Sequence, residues 1–219
     1  MTLRPRGLRA EAVALTPGQR RWIIGGAAAG ALLAAATGLG GADTPGGPGA
    51  PRCALTALAQ VAGLAAFASY GGWTVWLSLT DLRDRRLPNP VVGWASVTVA
   101  APLAGSLVLP GEPRRLLMAL AAAAAALCLF AALWVWRPGA LGAGDVKLVP
   151  LSVFVPAAAG AGPWLLAFAC GLAASALVGV AVAHARRDSD IGFGPPLLFA
   201  SWVGAVAGAP HPPGFAPFG

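Results

Sequence analysis

Two aspartates in this chain stand where a carboxylate is costly and therefore informative. Asp145 follows two glycines in Gly142-Ala143-Gly144-Asp145-Val146-Lys147, where one apolar run gives way to another. Asp81 lies 64 positions earlier and ends another apolar segment, in Leu79-Thr80-Asp81. An ionisable group so close to a bilayer marks a functional site by default. Two carboxylates brought together can split a peptide bond. One, ionised, takes a proton from water while the other, protonated, polarises the carbonyl. Held close they cannot both ionise easily, so they share a proton and titrate as a pair. Burial at a membrane edge favours the protonated form further. Gly142 and Gly144 let a backbone or substrate strand approach closely. They also leave the start of the following helix open, where its dipole and unpaired amides stabilise an anion. Taken alone, Gly-Ala-Gly-Asp reads better as a turn with Asp145 as N-cap. A partner at Asp81 changes that balance.

The elements that must position this pair are membrane helices. The 219 residues are 57% apolar and 11% charged, with a mean hydropathy of +0.71. Soluble domains carry about 25% charged residues, so this composition predicts an all-α, polytopic integral membrane bundle. Apolar segments at 22–41, 54–80, 91–110, 116–136, 163–183 and 191–208, with a shorter one at 146–159, give six or seven transmembrane helices. Residues 1–21 read as a basic cytoplasmic arm, 22–209 as one membrane-embedded domain, and 210–219 as a Pro-rich tail. The first apolar run also fits a signal peptide, but its length favours a retained helix. The alanine run 121–126 predicts close helix packing through small side chains.

Charge placement orients the bundle. Of the 15 Lys and Arg residues, 12 fall in the arm, the 81–90 loop, the approach to the glycine motif together with its Lys147, and the 184–190 loop. The positive-inside rule then places the N-terminus in the cytoplasm, with Asp81 and Asp145 on that same face. The net charge of +7 is thus topogenic rather than a nucleic-acid patch. Trp22, Trp73, Trp76, Trp94, Trp134 and Trp136 fall near the cytoplasmic helix ends, as an interfacial belt would, while Trp202 has no evident role. Cys53, Cys128 and Cys170 have no paired spacing, which argues against a zinc site or a disulfide framework.

Taken together, TDLRDRRLPN and GAGDVKL resemble the type IV prepilin peptidase family, membrane-embedded aspartic proteases of the GxGD type. In that family one catalytic aspartate stands seven residues before a Pro-Asn or Pro-Asp pair; here that is Asp81, with Pro88 and Asn89. The aspartate of the glycine motif is the other, and matches Asp145, followed by Val146, Lys147 and Leu148. Gly192-Phe193-Gly194-Pro195 looks like the family's late Phe-Gly-Pro element. The resemblance covers roughly residues 55–204. It implies a plasma-membrane endopeptidase that removes the basic leader of prepilin-like proteins at the cytoplasmic face, with Asp81 and Asp145 catalytic. Gly142, Gly144, Lys147, Pro88 and Asn89 would support them. Large members also methylate the new N-terminus and carry two cysteine pairs. This chain lacks those pairs, so S-adenosylmethionine is not expected, and the mechanism calls for no metal or other cofactor. Lys147 either tunes Asp145 or snorkels to the interface. Asp84, Asp188 and Asp190 read as solvated loop charges. The rival reading is a small proton-coupled carrier using the same two aspartates.

Overall fold

The computed structural model describes residues 17–37, 50–84, 89–136, 142–160, 163–186 and 193–209. Most of the basic arm, the Pro-rich tail, Pro88, Asp188 and Asp190 lie outside the described residues. Seven helices follow in order: α1 (Pro17–Thr37), α2 (Ala50–Asp84), α3 (Asn89–Val108), α4 (Pro113–Trp136), α5 (Ala143–Ala159), α6 (Trp164–Arg186) and α7 (Gly194–Gly208). The all-α expectation holds. Among the described residues four segments are long and apolar enough to cross a membrane, at Ala54–Arg83, Pro90–Val108, Pro113–Trp136 and Trp164–Val182, and Gly194–Gly208 is a shorter apolar helix.

Several boundaries differ from those read in the sequence, each for a local reason. α1 begins at Pro17, inside the expected arm, because proline suits a first helical turn. α2 does not stop at Thr80 but runs 35 residues to Asp84, about 52 Å of helix. Nothing in Asp81-Leu82-Arg83-Asp84 breaks a helix before Pro88 restricts Leu87. Asp81 is therefore a helical residue near the end of α2, not a loop residue. α5 starts at Ala143 with Gly142 as N-cap, so Asp145 occupies the first turn rather than the cap.

The centre of the bundle is α5. Its side chains from Leu148 to Ala159 are buried around almost the whole circumference, as expected of a helix that is apolar on every side. It packs against α4 and α7, and less extensively against α3 and α6. Of the alanine run, Ala123 is buried in the core with it and Ala122 and Ala126 pack against that core, while Ala121, Ala124 and Ala125 are exposed, so only one face of the run provides close packing. The outer faces of α4 and α6 expose Leu117, Leu129, Val135, Leu165, Leu177 and Val178, an apolar surface suited to lipid. Cys128 and Cys170 are exposed on those same helices and free.

Glycines set two of the closest contacts. α1 crosses α2 where Gly26 and Gly30 meet Gly71. A Cβ on Gly71 would fall 2.1 Å from the Gly26 carbonyl oxygen, and one on Gly30 2.4 Å from that of Phe67. Small residues one turn apart allow this approach. At the other end of α5, a Cβ on Gly160 would fall 1.5 Å from the Gly208 carbonyl oxygen. The last turns of α5 and α7 therefore touch backbone to backbone. Arg115 donates from Nη2 to the Ala159 carbonyl, closing the C-terminus of α5, and pairs with Glu112 at 3.1 Å.

Trp202 finds its role here. Its indole stacks against Tyr70 at 5.1 Å between ring centroids and donates to Thr74 Oγ1 at 3.1 Å, tying α7 to α2. Trp76, expected in the interfacial belt, is instead a core residue, while Trp22, Trp94 and Trp136 are exposed.

Candidate active site

The C-terminal end of α2 and the N-terminal ends of α5 and α7 come together at one end of the bundle. α5 and α7 therefore run parallel to each other and antiparallel to α2. Each contributes one part of the candidate site.

Asp81 sits in the last turn of α2 and is only 6% exposed. Its Oδ2 accepts a hydrogen bond from the backbone N–H of Gly194 at 3.2 Å. The sequence of α7 explains why this donor is available. The first turn reads Gly194-Pro195-Pro196, and neither proline has an N–H. Leu197 N–H bonds to the Phe193 carbonyl at 3.2 Å. Of the helical residues before Leu197, Gly194 alone keeps an N–H, unpaired within the helix, and it meets Asp81 where the helix dipole favours an anion. A Cβ at Gly194 would stand 2.9 Å from Asp81 Oδ2, so glycine is required for the carboxylate to come so close.

Asp145 lies in the first turn of α5, outside the four long apolar spans, and is partly buried. Its carboxylate accepts from the Gly142 N–H. This is half of a capping box, in which an acid three residues into the helix reaches back to the N-cap amide. Gly142 has no side chain to supply the other half. A Cβ there would lie 2.9 Å from Asp145 Oδ2. Burial pushes the Asp145 carboxyl up to about 6, the negative charge of Asp81 adds to the shift, and the Gly142 N–H opposes it. The two carboxylates are thus close enough for one to act on the ionisation of the other.

The remaining expected residues divide. Gly144 lies between the cap and Asp145 in the first turn of α5. Lys147 is exposed, and its position two residues after Asp145 turns it toward another face of the helix. Asn89 opens α3, Pro88 lies outside the described residues, and nothing is described of the Asp84 side chain. Among the described residues no three His, Cys, Asp or Glu side chains converge as a metal site would need. The residue without an assigned role in the sequence was Gly194. Its motif was visible, but its part in the site is played by a backbone donor. The readable signal was a glycine preceding two prolines at a helix start.

An all-helical membrane protein with two coupled carboxylates at one end has the architecture of a membrane aspartic protease. The profile of the type IV leader peptidase family matches residues 68–183, more than half of the chain, and the protein belongs to that family. Asp81 and Asp145 both lie inside the matched region, and Gly194 lies beyond it. Searches of curated proteins and of solved structures find no match.

Proposed function

We propose that this protein is a prepilin leader peptidase that uses Asp81 and Asp145 as its catalytic pair. The observation that carries the reading is that two carboxylates from α2 and α5 share one end of the bundle, the charge of Asp81 reaching Asp145. Family membership supports prepilin-like proteins as the substrate class.

One proton is shared by the pair. The ionised carboxylate removes a proton from a water molecule as its oxygen attacks the scissile carbonyl carbon. The protonated carboxylic acid gives its proton to the carbonyl oxygen, so the tetrahedral intermediate carries no net charge. Collapse of that intermediate breaks the C–N bond, with a proton passing to the leaving nitrogen. Gly194 N–H holds Asp81 in place. Gly142, without a side chain, lets the Asp145 carboxylate fold back onto its N–H. The cut separates the basic leader from the hydrophobic helix that anchors the pilin. By the charge count the site faces the cytoplasm, where 12 of the 15 basic residues also fall. The peptidase domain spans 22–209.

Co-expression with a prepilin tests the reading through the size shift of the substrate. Wild-type protein removes the leader. Absence of cleavage for prepilins from every such system of the source organism would overturn it.

A further inference from the structure

Asp81, Asp145 and Gly194 have counterparts one layer deeper in the bundle. Thr74 stands seven residues before Asp81 on α2, Ser152 seven after Asp145 on α5, and Ser201 seven after Gly194 on α7. Because α2 runs toward the site and the other two helices run away from it, all three steps lead the same way. Each descends two turns, about 10 Å. There the hydroxyls gather around the phenol of Tyr70, which faces Ser201, Ser152 and Thr74. Tyr70, Ser152 and Ser201 are each 0% exposed. Ser152 donates to the Leu148 carbonyl at 3.1 Å, and Thr74 accepts from Trp202 Nε1 at 3.1 Å. Tyr70 Oη and Ser201 Oγ, close to these groups, lack a direct hydrogen bond of good geometry. Between the two layers lie Leu77, Leu148 and Leu197, all fully buried.

Such a cluster contributes little to stability, since apolar replacements of like shape are often neutral. It does specify register. Ser152 would carry its bond to Leu148 along with α5, but a slide of α2 or α7 by a turn would break the Trp202–Thr74 bond. A slide of any of the three would set the buried Tyr70 and Ser201 hydroxyls against leucine instead of polar neighbours, at a cost that an all-apolar junction would not impose. The three helices so constrained are the three that assemble the aspartate site.

We propose that Tyr70, Thr74, Ser152 and Ser201 are positioning residues whose hydroxyl cluster locks the register of α2, α5 and α7, and so sets where Asp81 and Asp145 meet. Only the activity arm of the test rests on the peptidase reading. In full-length protein with its three cysteines replaced, spin labels are placed at Leu82→Cys and Phe199→Cys, positions 66% and 55% exposed. The distance distribution is narrow with the native cluster and broadens in the Tyr70→Phe/Ser201→Ala variant. In unlabelled protein that variant lowers kcat about tenfold and leaves KM unchanged, while Ser201→Thr, which keeps a hydroxyl, stays near wild type. A narrow distribution in the double variant overturns the proposal, as does an unchanged kcat. If the double variant fails to insert, Ser201→Ala alone is measured in the same way. If wild-type protein cleaves no prepilin, the peptidase reading falls and the distance distribution alone decides.

Discussion

The backbone N–H of Gly194 donates to Asp81 Oδ2 at 3.2 Å, joining the start of α7 to the end of α2 across 113 residues of sequence. The bond needs the missing Cβ of Gly194, and the two prolines that follow leave no N–H of their own to compete for the carboxylate. Gly194→Ala puts a methyl group 2.9 Å from the carboxylate oxygen, and Asp81 must turn away to relieve the contact. The variant should insert normally and lose about tenfold or more in kcat, since small displacements of a reacting group are costly. Cleavage of a prepilin by purified Gly194→Ala at the wild-type rate would remove Gly194 from the site.

Asp81→Asn and Asp145→Asn should each reduce leader removal by about a thousandfold or more, the range lost with an acid or base. The proposed mechanism makes the two carboxylates one unit, so the double variant should be little worse than either single one. The readout is the fraction of substrate shifted in size, against membrane levels of each variant. Substantial cleavage by either single variant would mean that the pair is not the catalytic unit.

How much of this was legible beforehand depends on what kind of atom does the work. Asp81 and Asp145 stand out because an apolar context makes any carboxylate conspicuous, and the alternation of basic loops placed them on one face. The helical state of Asp81 was hidden, because Asp81-Leu82-Arg83-Asp84, with three charges in four residues, looks like a loop although none of the four breaks a helix. Gly194 was visible as a motif but silent as chemistry, since its contribution is a main-chain amide. The central place of α5 was also hidden. A short helix that is apolar on every side has no periodicity to say which face is inward, and only packing by α3, α4, α6 and α7 decides. Trp202 needed its partners, Tyr70 and Thr74, which lie 132 and 128 positions earlier.

The raised carboxyl of Asp145 predicts a pH-dependent stability. A folded-state value of about 6 against 3.8 for the free group means that the folded protein holds this proton more tightly than the unfolded chain does. The resulting stabilisation is complete below about pH 3.8 and is lost as the pH rises through about 6. Asp145→Asn removes the ionisation. At pH 7 it should be more stable than wild type by roughly 1–2 kcal/mol, allowing for the partial exposure of the group, and the difference should close toward pH 4. Thermal melts of the two proteins in the same detergent check this. A difference independent of pH would show that burial of Asp145 is not what sets its ionisation.

Asp145 and Gly194 occupy the first turns of α5 and α7, and the last turns of these helices meet at Gly160 and Gly208. A methyl group at 160 would overlap the Gly208 carbonyl oxygen at 1.5 Å, and this neighbour is backbone that cannot rotate aside. Gly160→Ala must therefore part the two helix ends. Arg115, which holds the Ala159 carbonyl from the N-terminal turn of α4, would be drawn along with α5. The displacement originates at the far end of both helices from the aspartates, so its effect on cleavage depends on how rigidly α5 and α7 transmit it. Their buried side chains pack along the shared face from Leu148 to Ala159 and from Leu197 to Ala205, and a close-packed core passes strain on rather than absorbing it. Gly160→Ala should thus lower both the melting temperature, through a loss of about 2–4 kcal/mol, and kcat. The control Gly105→Ala, inside α3 and with no atom within 4 Å of the new methyl group, should lower neither and should raise the melting temperature slightly through helix propensity. Loss of stability without loss of kcat would place the rigid element of the site in the first turns of α5 and α7 alone.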